Sequence, residues 1–353
     1  MDVFIHSAQL DVGHGKPMAS MLAPQRFSLS GKNMHTRSSL PILHHPHGTF
    51  KDNLKLIVGA IVYPVQTRRW RSFLQDNPVL VELAQRYPRI IHKIYRPYLS
   101  KQLSCAERVD VLIGHYSQVF KAGLRELIHQ AALQPVPVAE FAGKSGALFQ
   151  LQLSAINVGH REGELSLQLM FEGVNVYSAS FVLISGHGDS HIKLGALQGL
   201  RSAGGTMIIK RVTRELQGCR PKKLVTSMVR YIGAYFGCSM MLLVSNQNRV
   251  SINGRRSRRI SSNYDETWEE MDARRRSDGN FELPCIDLVG KDFDLVPSNK
   301  RSEARRRSAL IESVGDAIRV SLDIWRSPEA ALIPDVNVVP ACDSFAPPAA
   351  ARA

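Results

Sequence analysis

Residues 191–250 constrain the fold more than any other stretch, because their punctuation admits one order of elements. Ile192 to Leu197 is a short apolar run that predicts a strand. A glycine-bearing turn follows through Gly199, Gly204 and Gly205, then a basic helical pattern that stops at Gly218. Pro221 suits the first turn of a second helix, where its missing N–H costs nothing. Leu224, Met228, Ile232 and then Tyr235 or Phe236 recur at helical spacing, and Gly237 suits the residue just past the helix end. Met240 to Val244 is a continuous apolar run, the signature of a buried strand, with polar Ser245, Asn246, Gln247 and Asn248 at its carboxyl end. Strand, helix and strand predict a right-handed crossover onto one sheet. Ligands of such sheets tend to lie beyond the carboxyl ends of strands.

Upstream of this unit the period is two. Leu148 to Ala155, Leu165 to Phe171 and Val176 to Ile184 read as strands separated by glycine turns, an antiparallel meander that runs into the β-helix-β unit. The result is an α+β (mixed α/β) fold. Residues 49–135 form a helical region, marked by Asn77-Pro78 as a cap and by the capping box Ser104-x-x-Glu107. Leu133 to Val138, with two prolines, is a candidate linker to a mixed-sheet core domain over 136–326. Residues 1–48 are irregular, and His44-His45-Pro46-His47 reads as a polar loop because no further ligand set accompanies it. Residues 327–353 read as a disordered tail.

Of 353 residues, 44% are hydrophobic, enough for a sizeable core, and the formal net charge is +14. That balance favours anionic partners, a small molecule or a lipid head group. Nucleic acid fits less well, since the arginine clusters lack interleaved aromatics and no known binding module is visible. The five cysteines are scattered, with no C-x-x-C pair, which argues against a disulfide framework or a zinc site, and no metal is expected. No signal peptide or uninterrupted span of about 18 apolar residues is present, so the chain reads as cytoplasmic, at most membrane-peripheral.

Three groups of residues carry candidate chemistry. His187, Asp189 and His191 alternate in a glycine-rich turn, where they could share one side of an extended segment. Ser245 and Asn246 stand at a strand's carboxyl end. Cations cluster at Arg220, Lys222 and Arg249, in the runs Arg255-Arg256 and Arg258-Arg259, and at Lys300, Arg301, Arg305, Arg306 and Arg307. The last five open a helix from about Ser298 to Trp325, where positive charge opposes the macrodipole. Either an anionic ligand or the acids Asp265, Glu266, Glu269 and Glu270 would offset them.

The order of several short motifs resembles the VirK/YbjX family of bacterial proteins. These are Gly195 to Gly199, Thr213 to Lys222, Val244-Ser245-Asn246, Asn263 to Trp268, Lys300-Arg301-Ser302 and Arg305-Arg306-Arg307. Arg96-Pro97-Tyr98-Leu99 and the Arg108 to Tyr116 helix belong to the same set, so the resemblance covers about residues 50–325. It implies a Gram-negative protein linked to virulence, to outer-membrane and lipid A integrity and to resistance against cationic antimicrobial peptides, with no settled activity. Arg249 stands where the family is expected to carry histidine. The order meander, strand, glycine turn, helix, strand also looks like N-acetyltransferase-type folds. That likeness implies an acyltransferase-like enzyme using an acyl-CoA or acyl-carrier-protein donor. Gly199, Arg201, Gly204, Gly205, Thr206 and Lys210 would then receive the donor's phosphates.

Overall fold

The computed structural model describes residues 50–156, 161–185, 189–200, 204–250, 263–285 and 296–326. Prolines and caps set the boundaries of the N-terminal helices. α1 (Phe50–Val62) stops before Pro64, which opens α2 (Pro64–Gln75), and Pro78 opens α3 (Pro78–Arg86). Asn77, expected as a side-chain cap, instead donates back to the Phe73 carbonyl at 2.6 Å. Two 3-10 turns follow, Pro88–Ile90 and Lys93–Tyr95. The capping box of Ser104 and Glu107 starts α4 (Cys105–Lys121), with both reciprocal hydrogen bonds present, and α5 (Arg125–Leu133) completes the helical layer.

The sheet has eight strands in the order β1-β2-β3-β4-β5-β6-β8-β7. They are β1 (Val136–Ala142), β2 (Leu148–Ala155), β3 (Leu165–Phe171), β4 (Val174–Ser185), β5 (Ser190–Gly199), β6 (Met240–Leu243), β7 (Arg274–Arg275) and β8 (Phe281–Pro284). The expected linker over 133–138 is therefore the start of an edge strand. Pro137 is tolerated there because β1 pairs with β2 alone and its register shifts between Pro137 and Ala139. Among the described residues β5 and β6 form the one parallel pair, joined through α6 (Gly205–Glu215) and α7 (Pro221–Tyr235). The crossover thus contains two helices, parted at Gly218, whose φ of 76° suits glycine. The short α8 (Tyr264–Glu269) and the long α9 (Ser298–Trp325) follow. The fold is α+β.

Helices and sheet share one hydrophobic core that includes the buried Trp70, Tyr116, Phe149, Phe181, Trp268 and Phe281. α7 lies close on the sheet because Gly233 meets Ile192 and Cys285, where a side chain would collide. β4 outruns β3, their last pair being Leu165 with Phe181. The N–H of Leu183 beyond that point is taken by Nδ1 of the buried His115 on α4, at 3.2 Å.

Candidate functional site

The site forms where the parallel pair opens. β5 and β6 keep register from His191 with Met240 to Leu194 with Leu243, and the last link is Val244 N–H to the Leu194 carbonyl at 3.2 Å. Gly195 is an extra residue on β5, since Leu194 faces Phe181 while Ala196 faces Ser180 on β4. A Cβ there would lie 2.0 Å from the Glu162 carbonyl oxygen, so the bulge requires glycine. Beyond it the strand edges part, and backbone groups on both sides need partners.

α8 supplies them. The Tyr264 hydroxyl accepts from the Leu197 N–H at 2.6 Å and donates to the Leu197 carbonyl at 2.8 Å. Trp268 Nε1 donates to the Val244 carbonyl at 2.9 Å. Asn246 fixes the start of α8: its backbone N–H donates to Asp265, its amide donates to Asn263, and its side-chain oxygen accepts from Tyr264 N–H. The Arg249 guanidinium lies 3.6 Å from the centre of the Tyr264 ring. Ser245 is fully buried, its N–H donating to Asn280 at 3.1 Å and its hydroxyl making no hydrogen bond among the described residues.

Asn280 joins this strand end to a charged cluster. Its side-chain oxygen also accepts from Asn248, and its N–H and amide donate to Asp278. Glu282 on β8 is buried and held by Arg274 and Arg276. Burial would raise its carboxyl, but the two arginines outweigh that and hold it below the usual carboxylate range. Lys193 on β5, 7% exposed, sits in the field of Asp278, Arg276 and Glu107. Among the described residues no hydrogen bond or ion pair reaches its ammonium. Burial lowers its pKa to about 8, against the pull of Asp278 and Glu107.

A second polar cluster lies deeper. Glu164, just before β3, is fully buried; its carboxylate accepts from Lys93 at 2.6 Å, from Tyr98 at 2.7 Å and from Tyr116. Burial pushes the carboxyl up, but Lys93, His115 and the hydrogen bonds outweigh it, so it stays below its ordinary value. His115 is lowered to about 4 by burial and is neutral. Since its Nδ1 accepts, Nε2 carries the proton, and that N–H has no partner among the described residues. Nothing in the sequence marked Lys93, Lys193 or Glu164: Lys193 is an isolated polar letter in an apolar strand, and Lys93 and Glu164 stand among charged neighbours that are ordinary in surface turns.

The expected site residues divide. His191, near the start of β5, and exposed Asp189 just before that strand lie beside the start of β6, whereas Ser245 and Asn246 lie past its end. Five residues of strand, roughly 16 Å, separate the two groups. His187 and Arg201 lie outside the described residues. Gly199 ends β5, Gly204 adopts φ 86° before α6, and Gly205, Thr206 and Lys210 form its first turns. Among the described residues that helix start has no side-chain cap, and its first turn holds no acid. Of the cations, Arg220 and Lys222 pair with Glu270 at 3.1 and 2.7 Å. Arg301 donates to the Val296 carbonyl, and Arg307 reaches the Gln217 carbonyl and Glu303. Lys300, Arg305 and Arg306 are exposed on α9. Glu270, just past α8, thus meets α7, and Asp265 meets the backbone of Asn246 beyond β6.

Fold and site define an α+β protein whose mixed sheet opens at a single parallel pair, with buried charge on both sides of the opening. The chain belongs to the DUF535 family, described as proteins of unknown function, which matches residues 47–319. It is 24% identical over 265 residues to the uncharacterized protein YbjX of Escherichia coli, 74% of this chain and 80% of that one. An uncharacterized protein of Haemophilus influenzae is 21% identical over 262 residues, 73% of this chain and 84% of that one. A cAMP-binding acyltransferase from Mycobacterium smegmatis aligns at a TM-score of 0.29 and 11% identity, covering 63% of this chain and 61% of that one.

Proposed function

We propose that the chain transfers an acyl group from a thioester donor, in the service of the envelope role that the VirK/YbjX resemblance implies: virulence, outer-membrane and lipid A integrity, and resistance to cationic antimicrobial peptides. The observation that carries the acyl-transfer reading is the parting of β5 and β6 at the Gly195 bulge, which leads into the uncapped start of α6. Parted strand edges suit the amide groups of a phosphopantetheine arm. A helix start without acids suits its phosphates. In the reaction an acceptor hydroxyl or amine attacks the thioester carbonyl, the C–S bond breaks, and the acceptor's proton leaves with the thiol. Tyr264 now makes the two hydrogen bonds to Leu197 that the donor's amide would make, so the donor enters by replacing its hydroxyl.

Thermal unfolding of the full chain with acyl-CoA, acyl-carrier protein and duplex DNA tests this. A ligand at 100 times its dissociation constant stabilises by about 2.7 kcal/mol, or several degrees. A shift with a thioester donor is the expected result. A shift with DNA alone, lost in high salt, would instead make the exposed Lys300, Arg305 and Arg306 an electrostatic surface. No shift with either would remove the donor reading.

A further inference from the structure

α1 is apolar on the wrong side for a helix that only packs inward. Its inner face is narrow: Leu56 is 8% exposed, and Gly59 lies so close to the Tyr95 ring that a Cβ would stand 2.6 Å from it. Its outer face carries Leu54, Ile57, Val58, Ile61 and Val62, continued by Val65 at the start of α2, with exposures from 39% to 72%. Their spacing is that of one continuous helical stripe. Scattered exposed aliphatics are ordinary, but a row of this length marks a surface that something covers. Beside it runs a groove of about 360 Å³, walled by α1 on one side and by His92, Tyr95 and Arg96 on the other.

We propose that this face docks the protein onto an anionic phospholipid bilayer, with the stripe in the acyl-chain boundary and the groove receiving the end of a lipid chain. Charge selects this occupant. From Asn53 to Gln75 there is no Asp or Glu, while Lys55 and Arg68 are present; Arg68 is exposed, and Arg69 beside it pairs with Asp110. Basic residues flanking an exposed apolar stripe suit the headgroup layer of an anionic membrane. Protein interfaces concentrate aromatic side chains and methionine at their centre, whereas this stripe is Leu, Ile and Val with one aromatic, the half-exposed Tyr63, at the junction of α1 and α2, a place where tyrosine suits the headgroup layer. The surface is separate from the opening of β5 and β6 and does not depend on acyl transfer.

Co-sedimentation of the full chain with vesicles tests it, comparing phosphatidylcholine alone with phosphatidylcholine mixed with phosphatidylglycerol. The wild type should sediment with the anionic vesicles. The double variant Ile61→Asn, Val65→Asp should lose on the order of tenfold in affinity at an unchanged melting temperature, because both side chains are outside the core. Absence of binding to anionic vesicles would overturn the proposal, as would undiminished binding of the variant. So would a fall of several degrees in the variant's melting temperature, which would show that the chain itself covers the stripe.

Discussion

Lys193 is the residue whose environment departs furthest from what its chemistry prefers. Burying a lysine to 7% exposure is costly, and its pKa of about 8 against an ordinary 10.5 expresses that cost. A folded pKa below the unfolded one means that the folded state holds fewer protons between pH 8 and 10.5. The penalty is complete below pH 8 and is relieved as pH rises through that window. Lys193→Met, which keeps the length and removes the charge, is expected to stabilise the protein at pH 7 by up to roughly 3 kcal/mol. The gain should fade through that window and vanish above about pH 10.5. Urea unfolding of both proteins at pH 7, 9 and 10.5 measures it, and a pH-independent difference would show that the cluster of Asp278, Arg276 and Glu107 already neutralises the amine. Such a residue was not legible in the sequence. Lys193 sits in an apolar strand as an isolated polar letter, and the groups around it, Asp278, Arg276 and Glu107, come from distant parts of the chain. Ser245 and Asn246 were legible as a strand's polar end, but Asn246's work as the clamp on α8 follows from Asn263 and Asp265 reaching it.

At the scale of elements, prolines and glycines told most. Pro64, Pro78, Pro88 and Pro221 open helical segments and Gly218 separates α6 from α7, each by a local backbone constraint that needs no tertiary context. The strands read by period two were equally plain, whereas β1 hid behind Pro135 and Pro137, because an edge strand can tolerate what a central strand cannot. The lodging of α8 between the parted strands was not legible, because it depends on Asn246 and Leu197, which are distant in the chain. Tyr264→Phe probes that lodging. Losing the hydroxyl leaves the Leu197 N–H and carbonyl without their partner, at about 1–3 kcal/mol for a buried group. The free chain should therefore melt several degrees lower. If a thioester donor uses the same two backbone groups, the donor-induced shift in melting temperature should grow in this variant. An equal or smaller shift would place the donor away from Leu197.

For the whole molecule, the question is what locks the helical layer to the sheet beyond apolar contact. Glu164 gathers Lys93, Tyr98 from the second 3-10 turn and its neighbourhood, and Tyr116 from α4, while His115 on the same helix takes the edge N–H of Leu183. Breaking a buried, hydrogen-bonded charge pair costs more than the pair itself stabilises, so this network fixes how the layers meet. Both of its titrating members weaken in acid. His115 has a folded pKa of about 4 against an ordinary 6.5, so its neutral form is favoured in the fold; that stability is complete above pH 6.5 and is lost as pH falls toward 4. Glu164 lies below its ordinary value, so its contribution is present above about pH 4.5 and disappears at lower pH. The protein should therefore lose roughly 3 kcal/mol between pH 6.5 and 4 from His115 alone, before the carboxylate begins to protonate. His115→Gln can still accept from Leu183 but cannot titrate. Its urea midpoint should be lower than wild type at pH 7.5 and nearly flat down to pH 4.5. A variant whose midpoint falls as steeply as the wild type's over that range would mean that the acid sensitivity resides elsewhere, and the His115 ring would then be a packing element alone.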